Sequence, residues 1–428
     1  MSHTVHPDLR TWLLRMSLAA SFVAVTIVGF WAVPRTAKSW RFARSAKLLE
    51  GRRHEEAKGL LQNLRSAYPH DPAVLLRLAR VYRRLGEFEK MSTILGEAAK
   101  CKAPLRAIEL EAVLAKAQVG HLSEVGRRLP QLLANPGDDG PDICEAYVNG
   151  YFLLHKVDFA FRIIEAWKAD YPQDPQPYLF EGAYFEQLGI SSKSVPAVKR
   201  ALELAPHRDD IRVRLAKQLF DVQEIEQAAA EASFVLKTDA ANPNAKVILA
   251  KCLNVLGKPE TAIRHLEQVI STSPKNVDAF AALGQLQVEA QQYGAAVRSL
   301  ERAFELKPFD SGLRYTLANA LVADGQHEEA KLHFQIVSEA KQQLATINQL
   351  KDAVNKSPDS ADLRYEIGWR LLKFDDPVQG ELWLRSTLEI DPDHEQARNA
   401  LVEHYQMTGK SELARLYSEN RKLQDHRD

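Results

Sequence analysis

Small and apolar residues return along most of the chain every 34 positions. Small residues mark one phase of this pattern at Ala216, Ala250 and Gly284, and a second phase twelve residues later at Ala262 and Ala296. The apolar residues between these positions follow helical spacing, because they recur three or four residues apart. The pattern predicts pairs of helices, each pair about 34 residues long, repeated in tandem.

Prolines and glycines mark the ends of the same repeating unit. Pro206 lies 34 residues after Pro172, and Pro308 lies 34 residues after Pro274. Proline cannot continue a helix and keeps the preceding residue out of the helical region, so we expect it after the second helix of a pair. Glycine suits the turn between the two helices because it adopts a left-handed backbone. The glycines in this phase are Gly86, Gly120, Gly189, Gly257, Gly325 and Gly409.

The order of these residues resembles the tetratricopeptide repeat family. The segment from Val277 to Pro308 shows it most clearly, with Leu283, Gly284 and Ala296 in the family's positions. The resemblance implies an all-α fold, a right-handed superhelical solenoid of helix pairs, because one pair cannot bury its apolar face alone. We therefore predict that residues 34–428 form one array of about eleven repeats, not the three domains that length alone suggests. The repeats begin near residues 38, 72, 106, 141, 175, 209, 243, 277, 311, 361 and 395.

One irregularity interrupts the array between the ninth and tenth repeats, where the interval widens to 50 residues. The segment from Ser338 to Lys356 contains neither proline nor glycine, and it places Leu344, Ile347 and Leu350 at helical spacing. An extra helical segment is therefore predicted near residues 340–358. It is either a lengthened helix that continues the stack or a protruding segment that binds a partner or divides the array.

A membrane-spanning helix is predicted before the repeats. Residues 16–33 carry no charged side chain over 18 positions. A helix of this length is about 27 Å long, close to the hydrocarbon thickness of a bilayer. A cleaved signal peptide is the alternative, but its apolar region is shorter and ends at a small-residue cleavage site. We therefore predict a tail at residues 1–15, a transmembrane helix at residues 16–33 and a single-pass membrane protein.

The charges beside this segment bear on its orientation. Positive residues favour the cytoplasmic side, and the flank that follows the segment holds more of them than the flank that precedes it. This places the repeats in the cytoplasm, while export to the other side of the membrane remains the alternative. The same basic segment predicts a contact with anionic lipid headgroups. The basic residues that follow the segment are Arg35, Lys38, Arg41, Arg44 and Lys47.

Composition excludes several other classes of protein. The 56 Lys and Arg residues balance 56 Asp and Glu residues, which argues against nucleic acid as a partner. The three cysteines, Cys101, Cys144 and Cys252, lie too far apart for a disulfide framework or a paired-cysteine metal site. His54 and His327 each precede two glutamates but lack the second histidine of a zinc motif. We predict no catalytic residue, no metal and no cofactor, and hence a protein that is not an enzyme.

The resemblance also implies where a partner would bind. Tetratricopeptide arrays use a concave groove lined by the first helix of each pair, and amide and aromatic side chains there suit an extended peptide. The same positions could be no more than solvated helix faces. The predicted partner-binding residues are Arg80, Arg84, Asn149, Lys217, Lys251, Asn254, Gln285, Tyr315, Asn319, Tyr365 and Trp369.

The sequence as a whole predicts a membrane-tethered scaffold that binds a peptide or helix of a partner protein in this groove. Its resemblance to membrane-tethered bacterial repeat proteins implies a role in cell-envelope or polysaccharide assembly. A related group adds a cysteine-rich metal module at its C-terminus, whereas this chain has no cysteine after Cys252. The alternatives are an exported scaffold that faces the periplasm and a non-catalytic subunit of an envelope enzyme complex.

Overall fold

A computed structural model describes residues 38–374 and 376–424 of the chain, and within these ranges the regular secondary structure is entirely helical. The helices pack into two compact units with a boundary between Ala115 and Lys116. Unit 1 contains α1 (38–50), α2 (His54–Ala67), α3 (Pro72–Arg84) and α4 (Phe88–Lys100), and α5 (Leu105–Gln118) runs across the boundary.

Unit 2 continues as a series of helix pairs in which each helix packs against its neighbours in the sequence. The all-α solenoid of helix pairs predicted from the sequence is thereby confirmed for the described residues. Its helices are α6 (Leu122–Val125), α7 (Leu129–Ala134), α8 (Gly140–Leu153), α9 (Val157–Asp170), α10 (Gln176–Gln187), α11 (Ser191–Leu204), α12 (Asp209–Asp221), α13 (Ile225–Thr238), α14 (Pro243–Val255), α15 (Pro259–Thr272), α16 (Val277–Glu289), α17 (Tyr293–Leu306), α18 (Ser311–Ala323), α19 (His327–Lys356), α20 (Ala361–Phe374), α21 (Pro377–Ile390), α22 (Glu395–Met407) and α23 (Ser411–Gln424).

The recurring small residues allow the two helices of a pair to approach closely. A Cβ atom added to Gly284 of α16 would lie 2.5 Å from Leu300 Cγ of α17. In the pair α20–α21, a Cβ added to Gly380 would lie 2.5 Å from the backbone nitrogen of Leu372. Since real Cβ atoms do not approach other heavy atoms so closely, these positions require a very small residue.

The turns within the pairs share a left-handed residue, and glycine fills only some of these positions. The six glycines in phase from Gly86 to Gly409 all have positive φ angles between 69° and 90°. At equivalent turn positions in other pairs, Arg52, His155 and Gln223 replace glycine and adopt φ angles of 57°, 52° and 65°. Non-glycine residues in this region are uncommon, which makes these turns costlier than the glycine turns.

The predicted extra segment belongs to a single helix, because α19 runs without interruption for 30 residues. Its first half packs against α18, where Ala330 belongs to the same apolar cluster as Leu317. Its second half packs against α20 and α21 through Ile347 and Val354, which are buried with Trp383. The lengthened helix therefore continues the stack. Its first half is the partner of α18, and its second half packs against α20.

Among the described residues, no helix combines the length and the apolar composition that a membrane span requires. The predicted tail (1–15) and transmembrane helix (16–33) lie outside these residues. Of the basic residues that follow the predicted transmembrane segment in the sequence, those from Lys38 to Lys47 belong to α1.

Candidate functional site

The first helices of three consecutive pairs, α10, α12 and α14, line a cavity of about 460 Å³ in unit 2. Its wall combines apolar side chains, among them Val213 and Val247, with charged side chains of both signs. The cations are Arg214, Lys217 and Lys251, and the carboxylates are Glu186, Asp210, Asp221 and Asp278. The two valines, like the two lysines, are separated by one 34-residue repeat, so stacking of the repeats brings equivalent positions into one surface. Two of the predicted partner-binding residues, Lys217 and Lys251, therefore share one cavity.

Glu186 of α10 accepts hydrogen bonds from three side chains at the edge of this cavity. Arg214 donates from Nε and Nη2 to Glu186 Oε2 at 3.1 and 2.8 Å. Lys217 Nζ donates to Glu186 Oε1 at 2.7 Å. Gln218 Nε2 donates to Glu186 Oε2 at 3.0 Å and to Ser194 Oγ at 2.7 Å. The network links α10, α11 and α12 and holds the charge of Lys217 in one place.

The network determines the charge state of Glu186. Burial alone would raise the pKa of this carboxyl, but the hydrogen bonds from Lys217, Arg214 and Gln218 outweigh burial and lower the pKa to about 2. Hydrogen bonds between charged groups are stronger than neutral ones, which explains the direction of the shift. Glu186 is therefore ionised at neutral pH and offsets much of the positive charge of Lys217.

Lys251 lies one repeat further along the cavity and has a different environment. Its side chain is half-buried, and within the described ranges no hydrogen bond or ion pair joins its ammonium group to another side chain. An ammonium group beside apolar side chains attracts a carboxylate more strongly than it would in bulk water, because the local dielectric is lower. Of the three cations in the lining, Arg214 and Lys217 are paired with Glu186, which leaves Lys251 to meet an acidic group of a ligand.

Two other predicted residues line separate cavities of unit 2. Asn149 of α8 lines a cavity of about 390 Å³ together with Phe152, Tyr184 and the α21 residue Leu382. Gln285 of α16 lines a cavity of about 500 Å³ between α16 and α18. The structure therefore distributes the predicted groove over at least three concave sites.

Three predicted residues lie outside the cavities just described. Tyr315 is 51% exposed, and its ring lies 5.7 Å from the ring of Phe334. Asn319 is exposed one turn further along α18. Asn254 Nδ2 donates to Glu289 Oε2 at 2.8 Å and so links α14 to the end of α16. Tyr315 and Asn319 remain accessible, whereas Asn254 already serves a contact between repeats.

The last two predicted residues lie on α20. Tyr365 is half-buried and packs against the apolar cluster around Leu401, and its ring lies 5.0 Å from that of His394. Trp369 is also half-buried, with Lys373 Nζ 5.2 Å from its ring centroid. Tyr365 therefore contributes to the core of the last repeats, which a groove position need not do.

The predicted arginines of unit 1 hold that unit together. Arg80 Nε donates to Glu111 Oε1 at 2.7 Å, and Arg83 Nε donates to Glu111 Oε2 at the same distance. Glu111 is only 2% exposed. Arg84 Nη1 donates to the Leu49 carbonyl oxygen at 3.3 Å. These three arginines therefore already bind partners inside unit 1.

The side chains of the ion-pair network around Glu186 are spaced by nearly one repeat in the sequence. Its donors Arg214, Lys217 and Gln218 follow Glu186 by 28, 31 and 32 residues, close to one repeat. Opposite charges at nearly one repeat spacing on successive first helices indicate a contact between repeats. The same spacing of opposite charges indicates the contact between Arg80 and Glu111, which are 31 residues apart.

Within residues 38–374 and 376–424, histidine, cysteine, aspartate and glutamate side chains form no group of three or more that could hold a metal ion. The cysteines in these ranges are unpaired. Burial raises the pKa of the Cys144 thiol to about 12 and that of Cys252 to about 11. These two thiols are therefore protonated and poorly reactive at neutral pH.

We expect the substitution Glu186→Gln to destabilise the protein at neutral pH, because it removes the charge that Arg214 and Lys217 share. Since folding lowers the pKa of Glu186 to about 2, its contribution is fully present above the unfolded-state value of about 4.3 and is lost as the pH falls towards 2. Urea unfolding of the full chain between neutral and acidic pH measures this.

The control is Glu203→Gln, which removes an exposed carboxylate paired with Arg200 on the same helix. Exposed pairs of this kind contribute less than about 1 kcal/mol. Equal effects of the two substitutions at every pH would contradict the assignment of a structural charge network to Glu186.

Parts of the chain are similar to known repeat proteins. Residues 48–116, 256–303 and 287–351 match the family described as tetratricopeptide repeat. Superkiller protein 3 of Schizosaccharomyces pombe is 24% identical over 201 residues, which cover 44% of this chain and 14% of that protein. Anaphase-promoting complex subunit 3 of the same species is 20% identical over 219 residues, covering 51% of this chain and 33% of that protein. The chain thus spans a third or less of the length of these two relatives.

A solved tetratricopeptide repeat protein of Thermus thermophilus is also similar. It is 19% identical with a TM-score of 0.35, and the match covers 46% of this chain and 99% of that chain. The family matches on both sides of the unit boundary support the presence of tetratricopeptide repeats in this chain.

Proposed function

We propose that this protein is a non-catalytic scaffold that binds a segment of a partner protein in the groove of unit 2. The cavity between α10, α12 and α14 is the observation that carries the proposal. It places an apolar wall next to Lys251, whose ammonium group has no bonded neighbour within the described ranges. A partner segment that presents an apolar side chain beside an acidic one fits this combination.

The apolar wall also argues against one kind of peptide recognition. Tetratricopeptide arrays that grip a C-terminal carboxylate resemble one another in placing lysines at the positions that hold Val213, Val247 and Ala281 here. Val213 and Val247 line the cavity instead. An internal segment or a helix of the partner is therefore a better ligand than a chain terminus.

We further propose that residues 16–33 tether the scaffold to a membrane. The support is their uncharged sequence, whose length matches the hydrocarbon thickness. The basic residues that follow favour repeats on the cytoplasmic side, with an exported scaffold as the alternative. Assembly of the cell envelope or of a polysaccharide is the setting that the resemblance implies.

A charge reversal in the cavity tests the scaffold function. We expect Lys251→Glu to reduce recovery of the partner from membranes about tenfold, because a repelled and poorly solvated carboxylate costs more than about 1.4 kcal/mol. The measurement compares proteins crosslinked to the intact, affinity-tagged chain by quantitative mass spectrometry. The matched control is Lys237→Glu, which makes the same change at an exposed site on the second helix α13.

Recovery that falls equally with Lys251→Glu and Lys237→Glu would show that the cavity does not bind the partner. The same membranes test the tether, since removal of residues 1–33 should release the chain into the soluble fraction after a carbonate wash. A truncated chain that stays with the membranes would place the anchor elsewhere.

A further inference from the structure

Helices α20 and α21, near the C-terminal end of unit 2, contact the N-terminal part of the same unit around the α8–α9 turn. The ring of His155, in the α8–α9 turn, stacks on Trp383 of α21 with centroids 3.5 Å apart and planes 12° from parallel. Arg364 Nη1 of α20 donates to the Leu154 carbonyl oxygen at 2.6 Å across 210 residues of sequence. These interactions join helix pairs that are not neighbours in the sequence. We call them, with those of the next paragraph, the closing interface.

A second set of polar contacts lies beside the first. Glu389 of α21 accepts hydrogen bonds from Ser123 Oγ at 2.7 Å, and its Oε1 lies 3.0 Å from His121 Nδ1. Arg385 Nη2 donates to the Val119 carbonyl oxygen at 2.9 Å. Burial alone would raise the pKa of Glu389, but the hydrogen bonds with His121 and Ser123 outweigh it and lower the pKa. The carboxylate is therefore ionised where it meets the first helices of unit 2.

The lengthened helix α19 determines where the last pairs lie. In a regular array α20 would pack on the first half of the preceding helix, whereas here it packs on the second half through Ile347 and Val354. Sixteen additional residues displace α20 by about 24 Å along the helix axis, at 1.5 Å for each residue. This displacement accompanies the approach of α20 and α21 to the α8–α9 turn.

The closing interface also covers part of the predicted groove. The cavity that contains Asn149 has aromatic walls from Phe152 and Tyr184 of α8 and α10. Gln379 and Leu382 of α21 line the same cavity. Helix α21 therefore forms one wall of the cavity that contains Asn149.

The closing interface differs in kind from the packing between adjacent pairs. Adjacent pairs share continuous apolar clusters, such as the one that joins α19, α20 and α21. The closing interface consists instead of one ring stack and a few hydrogen bonds, which bury Trp383 and the Arg364 guanidinium. The apolar clusters within and between adjacent pairs persist when these few contacts break, so opening can precede unfolding of the pairs.

We propose that the closing interface is a reversible autoinhibitory contact in which α21 covers the α8–α10 end of the groove and its release exposes the aromatic wall around Tyr184. This inference rests on the proposed groove function for its role, but the opening itself can be measured without any partner. Release would admit an apolar helix of a partner in place of α21.

The substitution His155→Gly tests the interface without damage to the turn. The φ angle of His155 is 52°, and glycine occupies the equivalent turn positions 189 and 257, so the backbone tolerates the change. Loss of the ring stack should raise the open fraction about tenfold. The matched control is Gln223→Gly, which makes a similar change at an exposed turn with a φ angle of 65°.

The open fraction is read from distances between spin labels at positions 158 and 359, both exposed and close to the 3.8 Å contact between Lys156 Nζ and Asp359 Oδ1. Only Cys101 needs replacement by serine, because Cys144 and Cys252 are buried. We expect one short distance for the parent chain and for Gln223→Gly, and an added long distance for His155→Gly. An unchanged distribution for His155→Gly would overturn the closing interface.

A second variant removes residues 341–356 and restores the 34-residue interval between the ninth and tenth repeats. If α19 positions the last pairs, this deletion should abolish the short distance while the helical circular dichroism per residue is kept. A short distance that persists would overturn the role of α19. Maleimide labelling of Asn149→Cys then tests the covering of the groove, and labelling that is equally fast with and without His155→Gly would overturn autoinhibition.

Discussion

Replacing Gly380 with alanine should destabilise the end of unit 2 by about 3 kcal/mol, although alanine is the better helix former. The new Cβ would lie 2.5 Å from the nitrogen of Leu372, 2.7 Å from its α-carbon and 2.8 Å from the carbonyl oxygen of Gly368. These are backbone atoms of α20, so no side chain can move aside. The two helices must separate and lose apolar contacts around Trp383.

Urea unfolding of the full chain measures this loss, and hydrogen exchange locates it in α20 and α21. The control is Gly96→Ala in α4, where a Cβ would meet nothing within 4 Å. At this exposed helical site, alanine should stabilise the protein by about 0.5–1 kcal/mol. Unchanged protection of α20 and α21 in Gly380→Ala would show that the two helices are not packed as closely as described.

Removal of the Arg364 guanidinium in Arg364→Met should cost about 3 kcal/mol or more, since buried acceptors lose a charged donor. Arg364 is fully buried, and its Nη1 donates to Leu154 O and to Ser386 Oγ at 2.6 and 2.7 Å. Its Nε and Nη2 donate to Pro358 O at 3.0 and 2.7 Å. Burial lowers the pKa of Arg364 to about 10, so the side chain stays charged at neutral pH.

The conservative variant distinguishes hydrogen bonding from charge alone. A lysine at position 364 keeps the charge but lacks the planar fork that reaches Leu154 and Pro358 together, so we expect little recovery of stability. Arg302→Met, which removes an exposed guanidinium whose ion pair among the described residues is with Glu305, should change the unfolding free energy by less than about 0.5 kcal/mol. Full recovery with Arg364→Lys would contradict the geometric role of the guanidinium.

The sequence predicts the fold well because neighbouring pairs determine most of its packing. The 34-residue interval indicates where helix pairs such as α16 and α17 begin, since each pair repeats the same local contacts. The glycines in phase identify turns only where glycine is present. His155, Gln223 and Gln291 occupy the other turns, so a pattern based on glycine alone overlooks them.

The repeat interval predicts the residues of the candidate site less completely than it predicts the helix pairs. Periodicity places Lys217 and Lys251 on equivalent helices, and the structure brings both to one cavity. Periodicity does not distinguish these two lysines from Tyr365, whose ring packs into the core of the last repeats. The contact between His155 and Trp383 has no periodic signal, because it joins distant parts of the chain through the accumulated geometry of several pairs.

The pairwise packing of unit 2 has a consequence for how the chain is made. Contacts between adjacent pairs are local in sequence, so the pairs can fold one after another as the chain emerges from the ribosome. The closing interface must wait for α21, which follows Tyr184 by roughly 200 residues, or about 10–40 s of synthesis. We expect the aromatic wall around Tyr184 to stay uncovered throughout that interval, so that a partner helix would reach this wall before α21 is made.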